Sequence, residues 1–335
     1  MAKKTTREAK ASEGGRTGKA GKPGKAGKPG KAQKTGKPEK AGKKARRGTG
    51  DAGDLDDLRG SLRLPTDGSP VDLAAHGTRD TPGAPGGKQV GLADSARMAS
   101  DLAELQERLW AAATAGDRRR VLLVLQGMDT SGKGGTVKHV IGGLNPVGSR
   151  VRAFKPPTEE ERAHDFLWRV RRALPEPGEI GIFDRSHYED VLVARVRHLA
   201  RPAEVGSRYG LINDFERELA EDGVTVVKCF LHLSRKEQKR RLLRRLDRPD
   251  KHWKFDPSDI EDRALWPAYQ EAYEQALQHC GTARAPWYLV PADRRWYRNW
   301  AVARLLLEHL RDLDPRYPEP GYDVAECRER LLKET

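Results

Sequence analysis

Five short apolar runs punctuate the chain, at residues 121–125, 151–154, 179–183, 224–233 and 287–290, each rich in β-branched or aromatic residues. Their length and near-continuous apolarity predict parallel strands buried on both faces. Elsewhere the apolar spacing changes to three and four. Leu92, Leu102, Leu105, Leu109 and Trp110 predict a helix that stops near Gly116, and a last helix is predicted over 294–313. Thr158 with Glu161, Ser234 with Glu237, and Ser258 with Glu261 each match the capping box that opens a helix. Strands alternating with helices predict an α/β fold, a parallel sheet flanked by helices, with ligands beyond the carboxyl ends of its strands. Residues 51–90, rich in Asp, Gly and Pro, read as an extended lead-in rather than a core element. Residues 316–335 read as a C-terminal extension.

Charge separates one segment from the rest. Residues 1–50 carry 17 Lys and Arg against 3 acidic residues, whereas the remaining residues carry 46 of each. Lys recurs at every third position over 19–43, with almost nothing able to form a core, which predicts a disordered basic tail. A collagen-like helix is the alternative for such triplets, but the repeat breaks at Gln33 and Glu39. The tail reads as a solvated polycation that gathers polyanions, or as a solubility aid. Cys229, Cys280 and Cys327 are too far apart for a zinc or Cys-x-x-Cys motif and are expected to be buried, reduced thiols. No apolar stretch approaches the ~18 residues of a membrane span. With no apolar segment behind the basic N-terminus, the protein is expected in the cytoplasm.

Candidate chemistry begins in "VLLVLQGMDTSGKGG", residues 121–135. Gly127, four residues, then Gly132 and Lys133 form a P-loop pattern behind a strand and before a helix, a context suited to phosphate oxygens. Lys133 adds a movable charge. The position that normally places a hydroxyl on Mg²⁺ is Gly134, so another oxygen must serve. Asp129 inside the loop is the candidate, the alternative being an Asp that only bonds the turn backbone. Asp184 closes a strand in "EIGIFDRSHYED", where a Walker B acid would sit, followed by Arg185; a helix cap is the alternative for Asp184. "SRKEQKRRLLRRLDRPDKHWKF" predicts a basic helical lid, with Arg241 and Arg245 on one face, or else a merely solvated one.

Taken together, "LQGMDTSGKGGTVKHV", "NPVGSRVRAFKPPTEEE", "GEIGIFDRSHYEDVLV", "EQKRRLLRRLDRPDKHWKF" and "APWYLVPADRRWYRNWAVARLLLE" resemble the family-2 polyphosphate kinases. The resemblance implies a P-loop kinase fold like that of thymidylate kinase over about 91–315, with a lid at about 235–258. It implies phosphoryl exchange between inorganic polyphosphate and nucleoside mono- or diphosphates, Mg²⁺ or Mn²⁺ as cofactor, and a homo-oligomer. By the same resemblance Asp129 and Asp184 bind metal, Lys133 and Arg185 contact phosphates, and Glu189 stands near the shared site. Arg241, Arg245, Lys251 and Lys254 fall to nucleotide or polyphosphate, and Lys155 to the polyphosphate channel or to solvent.

"SHYEDVLV" and "KHWKF" look most like the branch that phosphorylates AMP as well as ADP. Asp184 and Gly134 look instead like the ADP- or GDP-using branch, so the acceptor stays open. His187 is expected to pack locally rather than carry phosphate, and Trp253 and Phe255 to fasten the lid rather than stack on a base. A P-loop ATPase acting on nucleic acid through the tail is the other enzymatic reading, and a non-catalytic polyphosphate binder is a third. Against the first stands a body with no net charge and no nucleic-acid module.

Overall fold

Alternation along the strand β1 (Arg120–Gln126) sets the layers of the molecule. Leu122 and Val124 enter one core, Val121, Leu123 and Leu125 the other, and all five are fully buried. A strand covered on both faces has this pattern, because successive side chains leave the sheet in opposite directions. The computed structural model describes residues 57–334, so the expected basic tail lies outside the described residues.

The elements before β1 are α1 (Leu58–Leu62) and α2 (Lys88–Thr114). Next come α3 (Lys133–Ile141), β2 (Ser149–Ala153), two single-turn helices α4 (Glu159–Arg162) and α5 (Trp168–Arg171), and β3 (Ile180–Asp184). There follow α6 (Glu189–Val196), α7 (Pro202–Glu221), β4 (Val224–His232), α8 (Arg235–Leu246), which opens the segment expected as a lid, and α9 (Ser258–Ala264). The chain closes with α10 (Trp266–His279), β5 (Trp287–Pro291), α11 (Arg295–Leu313) and α12 (Val324–Lys333). The strands form one parallel sheet in the order β2-β3-β1-β4-β5. Helices α6, α7 and α10 cover one face, and α2, α3 and α11 the other.

The five apolar runs are therefore five strands, each within two residues of its expected bounds, and the last helix begins at Arg295. Three expectations need correction. Strand β2 is an exposed edge, with Val151 half exposed between Arg150 and Arg152, not a strand buried on both faces. Residues 57–87 are no lead-in: Leu58 and Leu62 enter one core and Leu64, Val71 and Leu73 the other. The Leu64 N–H donates to the Trp287 carbonyl at 2.9 Å, which fastens this segment to β5. Ser258 is not a cap, because Asp256 and Asp259 bond the backbone at the start of α9 while Thr158 and Glu161 do form the reciprocal box. Ser234 caps α8, but Glu237 turns away to Arg240 and Arg241. Cys229 and Cys280 are buried free thiols, whereas Cys327 on α12 is half-buried. No helix among the described residues is long and apolar enough to cross a membrane.

Candidate active site

Register places the site. Strands β1 and β3 are neighbours, with Leu125 opposite Asp184, so the loop after β1 and the carboxylate ending β3 emerge side by side at the carboxyl edge of the sheet. Two glycines of that loop have no substitute. Gly127 has φ +147° and a Cβ there would lie 2.7 Å from the Leu231 carbonyl oxygen. Gly132 has φ +103°, and its missing side chain leaves room for the Arg298 guanidinium. Gly132 also precedes α3 with no capping side chain, which leaves the first N–H groups of that helix to a ligand.

Lys133 opens α3, almost wholly buried, with Nζ donating to the Gly127 carbonyl at 2.8 Å. Burial, then the charge of Arg185, lower its pKa, opposed by Asp184, Asp129 and Glu189. Arg185 sits at φ +66°, a left-handed backbone uncommon for a residue with a side chain. Its guanidinium lies 3.4 Å from Asp129 Oδ1 and 3.4 Å from Glu189 Oε2, so it bridges the loop acid to the first residue of α6. Gly134 answers the missing hydroxyl. A Cβ there would touch Asp184 Oδ2 at 3.5 Å, so the Asp184 carboxylate reaches the space that a Ser or Thr side chain would share.

Asp129 has a partner that the sequence did not reveal. Asp259 of α9, buried, stands beside it, with Arg245 Nη1 3.2 Å from Asp259 and 3.9 Å from Asp129. Burial opposes ionisation of Asp129, but Asp259 and the charges of Lys133, Arg185 and Arg245 lower its pKa to about 2. Burial and the neighbouring Asp129 push Asp259 up to about 7. Since the folded pKa is raised above the ordinary carboxylate value of about 4, the stability it contributes is present below that value and is lost as pH rises through 7. Asp259→Asn, which cannot ionise, is expected to flatten the fall in urea midpoint between pH 5 and pH 8, measured with chelator present.

A cavity of about 800 Å³ opens over the loop, with Lys133, Asp129, Asp184 and Arg185 on its floor. Arg244, Arg248, Lys251 and Lys254 line its lid side and the exposed Lys155 its opposite rim. Of the expected phosphate ligands, Arg241 also lines the cavity but is engaged within the protein. All five of its N–H groups are taken: Nε by Glu237 at 2.8 Å, Nη1 by the Thr130 and Ser131 carbonyls, and Nη2 by the Ala292 and Asp293 carbonyls. Arg241 braces the loop against the segment that follows β5. Arg241→Met is expected to cost about 2–4 kcal/mol by stranding these buried acceptors, visible as a lower urea midpoint. Arg245 bonds the Lys254 carbonyl at 2.8 Å and Asp259 at 3.2 Å, which holds the lid turn closed beside the cavity.

Arg295 and Arg298, three apart at the start of α11, also line the cavity and were missed. Their motif "DRRWYRNW" lies some 160 residues from the loop, and only the fold brings them together. Among the described residues neither has a carboxylate within ion-pair distance. Arg298 is buried, donating from Nη1 to the Ser131 carbonyl at 2.8 Å and from Nη2 to Asn299 at 2.7 Å. Burial, then Arg241 and Arg295, push it down to about 9. His187, fully buried, has no route to phosphate, as expected. Trp253 does not fasten the lid: it is 77 % exposed, with Lys254 over its ring. A second cavity of about 130 Å³, lined by Leu192, Tyr269 and Tyr273, shares Asp129, Lys133 and Arg185 with the first. Two ligands could thus meet at those three side chains, one polyanionic and one with an apolar part.

The described acids fit a divalent metal of one kind. Asp129 is ionised and Asp184 faces the same cavity, while no group of three His, Cys, Asp or Glu residues forms a cage among the described residues. Two carboxylates completed by water and phosphate oxygens suit Mg²⁺, which dehydrates reluctantly.

A family model described as Polyphosphate kinase 2 matches residues 87–318. The AMP/ADP-polyphosphate phosphotransferase of Meiothermus ruber is 50% identical over 241 residues, covering 72% of this chain and 89% of that protein. The ADP-polyphosphate phosphotransferase of Rhodopseudomonas palustris is 40% identical over 248 residues, covering 69% and 84%. The crystal structure of polyphosphate kinase 2 from Arthrobacter aurescens superposes with a TM-score of 0.81 at 45% identity, over 84% of this chain and 98% of that one.

Proposed function

The chain belongs to the polyphosphate kinase 2 family, and on that premise we propose that it moves the terminal phosphoryl group of inorganic polyphosphate onto AMP or ADP, giving ADP or ATP. The observation that carries this reading is the shared floor of the two cavities, where Lys133, Asp129 and Arg185 border both a large cationic space and a small partly apolar one. A phosphate chain fits the first by charge and a nucleotide can approach from the second.

The acceptor is a phosphate oxygen that is already ionised at neutral pH. No general base or covalent phosphoenzyme is needed, and positioning with charge neutralisation is left as the work of the protein. Lys133 and the free N–H groups of α3 bind the phosphoryl group in flight. Arg185, held between Asp129 and Glu189, orients the oxygens around it. The lid cations close over the remaining chain and exclude water. Asp129 and Asp184 would hold Mg²⁺, or Mn²⁺ in its place, and the ion would neutralise neighbouring phosphate charge.

The reading extends to a homo-oligomer in the cytoplasm, and to a basic segment 1–50 that gathers polyphosphate by charge. The test is product chromatography after mixing the protein with Mg²⁺, long-chain polyphosphate and, separately, AMP, ADP, GMP or GDP, beside a chain beginning at residue 51. ADP formed from AMP identifies the AMP-using activity, and ATP from ADP alone the narrower one. A folded protein that transfers to no acceptor overturns the reading.

A further inference from the structure

Behind the site lies a polar cluster that the transfer chemistry does not touch. On β4 the period of two sends Val224, Val226 and Phe230 into one core, and Lys228 points into that same core, fully buried. Its three donors are all used: Glu216 Oε2 of α7 at 2.6 Å, the Cys280 carbonyl at 2.6 Å, and the Tyr188 hydroxyl oxygen at 2.9 Å. The Tyr188 hydroxyl donates in turn to Glu216 Oε1 at 2.7 Å. His187 Nε2 stands 3.4 Å from the same oxygen. Burial works against the Glu216 charge, yet Lys228 keeps its pKa below the usual value. A buried ion pair is seldom the most stable filling for a core, since apolar residues of similar volume often do as well or better. Its place in the fold therefore calls for another explanation.

The cluster's hydrogen-bonded link to the site is Tyr188, three residues after Arg185, with His187 beside it on the same segment. Between them the chain is held at both ends. The Arg185 N–H donates to the Leu125 carbonyl at 3.1 Å. Ser186 is buried and its Oγ accepts from the Tyr188 N–H at 3.2 Å. The Tyr188 ring is wedged edge-on against Trp287, centroids 4.7 Å apart. Within this span Arg185 keeps its left-handed backbone, an unfavourable conformation that persists only where the surroundings impose it. That backbone points the guanidinium at the junction of the two cavities, between Asp129 and Glu189. An unfastened Tyr188 would let the segment relax and swing Arg185 out of line.

We propose that Tyr188, Glu216 and Lys228 are positioning residues for Arg185 in phosphoryl transfer, anchoring its strained segment to α7 and β4. This rests on the function proposed above. The first variant is Tyr188→Phe, which removes one oxygen and keeps the ring. It is expected to lower kcat at least about tenfold, as small misplacements of a reacting group do, with both KM values within about twofold and a thermal midpoint lower by only a few degrees.

Support of the fold alone would not produce the next result. In an Arg185→Lys background, Tyr188→Phe should lower kcat no further, because the group it positions is gone. Glu216→Gln, which keeps the shape and an acceptor, should show the same coupling with a smaller loss and guards against a Tyr188→Phe chain that does not fold. Unchanged kcat in either folded variant, or losses that multiply with Arg185→Lys, would overturn the positioning role alone. A wild-type protein that transfers no phosphoryl group overturns the function and this role with it.

Discussion

Lys133→Ala is expected to lower phosphoryl transfer about a thousandfold while leaving the fold intact. The magnitude follows from removing a preorganised charge from a site that excludes water, where a single donor is commonly worth a factor of 10² to 10³. The intact fold follows from the environment of the side chain. Lys133 is buried with only the Gly127 carbonyl as direct partner, and burial with Arg185 already disfavours its charge in the free protein. Taking that charge away removes the cost of burying it and the repulsion from Arg185, against the lost attraction to Asp184, Asp129 and Glu189. Stability should therefore hold or rise as activity disappears. Product formation from polyphosphate together with a thermal melt checks both halves, and a variant that melts early while retaining its rate would show that Lys133 serves the loop rather than the ligand.

Asp129→Asn should cost about a hundredfold or more in kcat/KM and should raise the Mg²⁺ concentration needed for half-maximal rate. A carboxylate whose pKa is lowered by neighbouring cations offers a hard cation a full negative charge, whereas the amide offers one neutral oxygen. The change also removes the charge beside Asp259, so the Asp259 pKa should fall toward the ordinary range. Rates measured across a Mg²⁺ titration separate the two roles considered for Asp129. A parallel fall at every concentration, with no shift in the midpoint, would leave Asp129 as a residue of the turn.

Strands and loop were legible in the sequence because their signals are local. The run ending at Leu125, the two glycines and Lys133 lie within 13 residues, and the register of β1 with β3 brings Asp184 to the same edge. Edge position is not local: Val151 looks as apolar as Val124, and only the neighbours in the sheet tell them apart. The segment before α2 was misread for a related reason. Its five buried apolar residues are spaced without a period, and their partners lie far along the chain in β5 and α11. Arg241 shares a helical face with Arg245, as the spacing of four indicated, yet one reaches loop carbonyls and the other the lid turn. Spacing reports a face and not what that face meets. Asp259, Arg295 and Arg298 join the site only through long-range packing, and no nearby residue marks them.

Arg241 and Arg298 together fasten the carbonyls of Thr130 and Ser131 from opposite elements, α8 and α11. The conformational entropy of ordering the P-loop is therefore surrendered when the protein folds, before any phosphate arrives. An incoming chain meets a loop already set, and its binding free energy is not consumed in shaping it. That free energy stays available for the transition state, so the two arginines that brace the loop backbone help make a repetitive polymer a usable phosphoryl donor.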